Sequence, residues 1–203
     1  MAVYTKINRS DLTTINRKFN FENFQSFKGI KQGIENTNYL LRSKNKNFIL
    51  TIFEKRVVKK EIPFFMKLMD QLSNLNINCP KPLKNNQGHY LIKVKNKISC
   101  VVTFLEGKDK KKLNLKNCFD IGKTIAQMHL STKKLKLYRK NSMGIKNLNP
   151  LLNSIKFKSK KFINLEKFLK NNLQDIKDKW PKKLPHGIIH GDLFIDNIFF
   201  KGN

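Results

Sequence analysis

Acidic residues are scarce in this 203-residue chain, with 14 Asp and Glu against 42 Lys and Arg and a formal charge of +28. Cysteine is also rare: Cys79, Cys100 and Cys118 are odd in number and scattered, with no C-x-x-C pair. That pattern excludes a disulfide framework and a zinc-ribbon site, and reads as buried or free thiols in a reducing cytoplasm. No run approaches the roughly 20 apolar residues of a membrane span, so no membrane partner is expected. Met1 to Lys6 carries no apolar signal region, which points to a cytoplasmic protein. There are no internal repeats or low-complexity tracts.

The excess charge is spread along the chain, with local runs only at 108–112 and 156–161. A basic face suits nucleic acid, so a non-enzymatic basic binding module is one reading. Asn and Ile are plentiful beside the Lys, which argues instead for compositional drift at solvated positions. No specific nucleic-acid partner is therefore expected, although the charge still attracts anionic ligands. A hydrophobic share of 39% with 16 Phe is that of a folded chain, long enough for one or two small lobes.

Taken in order, Ser10-Asp11 reads as the cap of a short helix carrying Leu12, Ile15 and Phe19. Phe27 to Leu41 then reads as a β-turn-β unit with Gly29 and Gly33 in its bend. Glycine there lets backbone N–H groups approach an anion closely. A strand follows at Asn47–Glu54, and a helix opens at Pro63 with Ile62, Phe65, Met66, Met69, Leu72 and Leu75 as its buried stripe. Two further strands are expected at Tyr90–Val94 and Ile98–Phe104, joined by a turn at 95–97. Beyond Gly107 the pattern turns helical. One helix is expected from about Asn117 to Leu130, bearing Phe119, Ile121, Ile125, Met128 and His129. Another is expected from about Lys161 to Trp180, with Phe162, Leu165, Phe168, Leu169, Leu173 and Ile176 inward.

The chain then reaches Ile188-Ile189-His190-Gly191-Asp192-Leu193-Phe194-Ile195-Asp196-Asn197-Ile198-Phe199-Phe200, two apolar runs expected to be strands around a polar loop. His-x-Asp with an Asn five residues after the Asp is the layout of a phosphotransferase catalytic loop. The Asp accepts the proton of an attacking hydroxyl and the Asn oxygen holds magnesium. Four intervening residues let the loop turn from one target to the other.

Glycine loop, strand, helix, two strands, linker, helices and H-x-D-x-x-x-x-N, in that order, resemble the aminoglycoside-phosphotransferase superfamily. Within it the chain is most similar to the homoserine kinase family. The segments that carry the likeness are Met1–Thr5, Ser26–Ile30, Gly33–Asn38, Phe48–Arg56, Pro63–Phe65, Cys79–Pro82, Val102–Gly107 and Ile189–Phe194. The resemblance implies an α+β, two-lobed protein-kinase-like fold. Residues 1–103 would be an N-terminal antiparallel-sheet lobe that binds nucleotide, 104–107 a hinge linker, and 108–203 an incomplete, mostly helical catalytic lobe.

It further implies ATP-dependent phosphorylation of the side-chain hydroxyl of L-homoserine, a step toward threonine, with ATP and Mg2+ as cofactors. Asp192 would be the base, His190 the brace of the catalytic loop, and Asn197 a magnesium ligand. The backbone of Gly33, Ile34, Glu35, Asn36 and Thr37 would cover the phosphates. Thr103, Phe104 and Leu105 would offer backbone groups to the adenine. Gly191 stands where protein kinases place an Arg that pairs with a phosphorylated activation loop, so that regulatory handle is missing.

Two departures stand out. The strand position that usually carries a phosphate-binding Lys or Arg holds Thr51, leaving Lys55 or Arg56 as substitutes and Glu61 as a paired acid. The family's second acidic metal ligand has no counterpart after Asn197, so the chain is expected to be truncated and inactive by itself. A kinase of another small hydroxyl or amine, aminoglycoside-like or choline-like, stays open beside homoserine. Oligomeric state is not legible.

Overall fold

Asn8, rather than Ser10, starts the first helix, α1 (Arg9–Phe19). Its side chain accepts from the Asp11 N–H at 3.0 Å, and its own N–H donates to Asp11 Oδ2 at 2.9 Å. This reciprocal box satisfies two helix-start donors at once, with Asp11 three residues past the cap. The structure, a computed structural model, describes residues 3–22, 24–33, 35–55, 57–142, 144–155 and 162–202. It groups them into two compact units, one of residues 1–137 with 188–203 and one of 138–187.

In the larger unit β1 (Phe24–Gly29), β2 (Thr37–Ser43), β3 (Asn47–Ile52), β4 (Leu91–Val94) and β5 (Lys97–Thr103) form an antiparallel sheet in the order β1-β2-β3-β5-β4. Lys95 and Asn96 both take positive φ, 49° and 61°, which suits a two-residue turn between right-twisted strands. The turn is thus one residue shorter than the sequence suggests. β3 and β5 lie centrally, and both of their faces are covered. Tyr39, Leu41, Leu50, Ile52 and Val101 pack with Leu12 and Ile15 of α1. On the other face Ile49, Cys100 and Val102 pack with Ile62 and Met66 of α2 (Ile62–Asn74). Each fully buried aliphatic side chain contributes about 1.5–3 kcal/mol. In α2, Phe65 and Leu75 fall outside the buried set, at 38% and 42% exposed, so its stripe is narrower than expected. The three cysteines are free thiols, and burial pushes Cys100 up to about 12.

α3 (Leu115–Thr132) begins two residues before the expected start because Asn114 caps it, accepting from the Asn117 N–H at 2.8 Å. Phe119 is exposed, while Ile121, Ile125 and Met128 are half-buried. In the smaller unit α4 (Ile145–Ser154) contacts α5 (Ile163–Lys179). Only Leu173 of the expected α5 stripe is buried; Phe168 is 61% exposed. A 10-residue helix is too short to cover a 17-residue one. The run at 156–161 lies outside the described residues. No helix among those described is long and apolar enough to cross a membrane.

Candidate active site

The polar loop after Ile189 is not flanked by strands. Residues 188–192 form no ladder, Ile195–Asn197 is a short 3-10 turn, and Phe200 makes one isolated bridge to Lys108. An apolar run becomes a strand only when a neighbour pairs with its backbone, and Phe200 is the one residue of these runs that finds a partner among those described. Gly191 turns the loop with φ 78°, a conformation a side chain would strain, so an Arg is physically disfavoured there.

The loop brings its three predicted residues together. Asn197 Nδ2 donates to the Asp192 carbonyl at 2.9 Å and lies 3.5 Å from Asp192 Oδ2. The Asp192 N–H points at His190 Nδ1 at 3.4 Å. All three residues are solvent-exposed. With its nitrogen donating to Asp192, the Asn197 amide keeps Oδ1 as its acceptor. A hard amide oxygen of this kind suits a magnesium ion that fills its remaining positions with water and phosphate oxygens. Among the described residues no group of three His, Cys, Asp or Glu side chains could hold a metal.

Just past the loop, the chain is fastened to the 104–107 linker. Lys108 and Phe200 exchange backbone hydrogen bonds at 3.1 and 2.9 Å, and Lys201 pairs with Glu106 at 2.8 Å. That hydrogen bond and the Lys201 charge hold the exposed Glu106 carboxyl below its ordinary value. Gly107, at φ 145°, lies against the crossing chain, where an added Cβ would meet the Phe200 carbonyl oxygen at 2.9 Å.

In the linker itself, Thr103 N–H donates to Lys81 O at 2.9 Å and Phe104 N–H to Asn47 O at 3.1 Å. Both of these donors are therefore consumed by the fold. Leu105 has no backbone hydrogen bond among the described residues, so its N–H and C=O remain open.

The glycine bend leaves the sheet after Gly29 and returns at Thr37. Gly33 has φ 93° with open space around it, and Glu35 is exposed. Ile34, Arg56 and Met1-Ala2 lie outside the described residues. Thr51 shares the α2 face with Ile49 by strand alternation, and its hydroxyl donates to Asn38 Oδ1 at 2.8 Å. Lys55 is exposed at a turn past β3, and Glu61 ends a 3-10 turn before α2. No hydrogen bond or ion pair among the described residues joins the bend to the catalytic loop. Two surface pockets, about 310 Å³ beside Tyr90 and about 370 Å³ beside Trp180, are not lined by His190, Asp192 or Asn197.

One polar cluster escapes sequence reasoning. Thr37 is fully buried, and its hydroxyl donates to Glu54 Oε1 at 2.8 Å while accepting the N–H groups of Tyr4 and Thr5 at 3.0 and 3.1 Å. Thr5 Oγ1 also donates to Glu54 Oε1, at 2.6 Å. Lys97 Nζ donates to Thr5 Oγ1 at 2.7 Å and pairs closely with Glu54 Oε2. Burial alone would raise the Glu54 pKa, but the hydrogen bonds from Lys97, Thr5 and Thr37, with the Lys97 charge, lower it below 4.5. The unfolded chain therefore binds more protons in this range, and the stabilisation is fully present above that value and lost as pH falls through the folded one. Glu54→Gln is expected to cost about 1–3 kcal/mol at pH 7, toward the low end because Lys97 is partly solvated. Urea midpoints of the two proteins from pH 7 to 3 should converge below pH about 4.5. A gap that stays constant across that range contradicts the ion pair.

Comparison with known proteins adds the following. Residues 26–203 match the phosphotransferase enzyme family. A homoserine kinase of Parvibaculum lavamentivorans is 35% identical over 204 residues, covering 100% of this chain and 64% of that protein. One of Beijerinckia indica subsp. indica is 36% identical, covering 100% and 63%. The chain thus spans less than two-thirds of the length of these relatives. Among solved structures, a spectinomycin phosphotransferase in complex with ADP and spectinomycin shares the fold at TM-score 0.63 and 13% identity, covering 98% of this chain and 67% of that one. A microcompartment-associated aminopropanol kinase aligns at TM-score 0.54 and 14% identity, over 71% of this chain and 49% of that one.

Proposed function

The chain belongs to the phosphotransferase enzyme family, and on that premise we propose that it transfers the γ-phosphoryl group of ATP to the side-chain hydroxyl of L-homoserine, a step toward threonine. The single observation that carries the chemistry is the catalytic loop, where Asn197 donates to Asp192 and keeps Oδ1 as its acceptor. The homoserine kinases among its relatives, at 35–36% identity, favour homoserine as acceptor. Residues 1–103 are read as the nucleotide lobe, 104–107 as the hinge and 108–203 as the catalytic lobe, in a cytoplasmic enzyme.

In this reading Asp192 accepts the hydroxyl proton as the acceptor attacks, and His190 steadies the loop through the Asp192 N–H. Asn197 Oδ1 would hold magnesium, which when bound would offset the charge developing on the phosphates. The backbone of Gly33, Ile34, Glu35, Asn36 and Thr37 covers those phosphates.

The adenine edge falls to Leu105, because the Thr103 and Phe104 N–H groups already have partners. Leu105→Pro removes the open N–H, and ATP affinity is expected to fall about tenfold, the worth of one lost hydrogen bond. Leu105→Ala should bind ATP nearly as well as the parent. Competition binding with ATP and magnesium checks this, and equal affinities for the two variants would place the adenine elsewhere. Acceptor-dependent ADP release tests the whole assignment.

A further inference from the structure

Three of the segments that carry the likeness to the homoserine kinase family, at the N-terminus, the glycine bend and the end of β3, meet at one place. Val3 Cγ2 lies 3.0 Å from where a Cβ on Gly29 would stand, so it packs on the residue where the chain leaves β1. Tyr4 and Thr5 donate their N–H groups to Thr37, where the chain re-enters the sheet. Glu54 ties the same end twice, through Thr37 Oγ1 and through its own N–H to Asn36 Oδ1 at 3.2 Å. Lys97, from the start of β5, closes the cluster on Glu54 and Thr5.

Thr37 alternates with Tyr39 and Leu41, and Lys97 with Val101, so the cluster sits on the α1 face of the sheet. Thr51 is on the opposite face, the α2 face. Lys97 is therefore not a stand-in for the phosphate lysine that Thr51 replaces. What the cluster touches is both ends of the bend, from outside. A loop packed against Val3 at one end and tied by charge-assisted hydrogen bonds at the other loses little further entropy when its N–H groups close on an anion.

We infer that Val3–Thr5, Glu54 and Lys97 are positioning residues that hold the bend between Gly29 and Thr37, at residues 30–33 and 35–36, in its phosphate-covering shape. This rests on the reading of the protein as an ATP-dependent kinase. The positioning role predicts a loss confined to the phosphates, whereas a role in stability alone predicts no such selectivity.

The test uses the whole chain with Glu54→Gln, Lys97→Met, Lys97→Arg and the milder Thr5→Val, which keeps shape while deleting the hydroxyl. Two probes are titrated: ADP with magnesium, and adenosine. Glu54→Gln and Lys97→Met are expected to weaken ADP about tenfold, with adenosine unchanged and Lys97→Arg close to the parent. Thr5→Val should show the same selectivity to a smaller extent, so the result does not hang on a variant that folds poorly. Amide hydrogen exchange at residues 30–36 should speed up in these variants while β3 and β5 stay protected. Equal losses for ADP and adenosine, or unchanged exchange in the bend, overturn the inference. A parent protein that binds neither probe overturns the kinase reading, and the positioning role with it.

Discussion

Asp192→Asn is expected to lower turnover by about 10²- to 10⁴-fold while leaving ADP affinity close to that of the parent. The substitution keeps the shape and an oxygen facing Asn197, whose Nδ2 now lies 3.5 Å from Oδ2 and 2.9 Å from the main-chain oxygen. What it removes is a group that can take up the acceptor's proton, and that need arises only as the hydroxyl attacks. The loss should therefore appear in kcat, with little change in the KM for ATP. Steady-state rates with saturating ATP and magnesium measure it. Near-normal kcat would mean that Asp192 is not the base.

Asn197→Ala should raise the magnesium concentration needed for half-maximal rate by about tenfold or more, since a hard cation loses an oxygen ligand. The variant also loses the 2.9 Å bond that ties the 3-10 turn to Asp192, so a loosened loop is a second cause of the change. Asn197→Asp separates the two causes. It keeps an oxygen for the metal but cannot donate to Asp192, so its magnesium requirement should stay near that of the parent even if kcat drops. A magnesium dependence unchanged in Asn197→Ala would move the metal site elsewhere.

The sheet was readable from sequence because its signals are local. The alternation of Phe48, Leu50 and Ile52 fixes one face of β3, and the polar residues at 95–96 mark a turn. Residues 188–200 show the limit of that method. Ile188-Ile189 and Ile198–Phe200 have strand composition, yet composition cannot supply a pairing partner, and only Phe200 finds one among the described residues. α4 was missed because it is short and carries Pro150, which removes one intrahelical donor.

In the site, the H-x-D-x-x-x-x-N spacing was enough to bring His190, Asp192 and Asn197 together, because all three lie within one turn of chain. The Glu54 cluster was not legible, since Lys97 and Thr5 are 92 residues apart and each alone looks like an ordinary surface residue. The linker was half legible. Its place at the end of β5 follows from pattern, but that Thr103 and Phe104 spend their N–H groups on Lys81 and Asn47 follows only from tertiary pairing.

The measurement closest to the central claim is a coupled ADP-release assay on the protein purified from its source, with ATP and magnesium. It is run in turn with L-homoserine, L-serine, choline and spectinomycin. The account predicts ADP release that depends on L-homoserine, exceeds that with any of the other three, and collapses in Asp192→Asn. ADP release independent of homoserine, or faster with another of these acceptors, would contradict it.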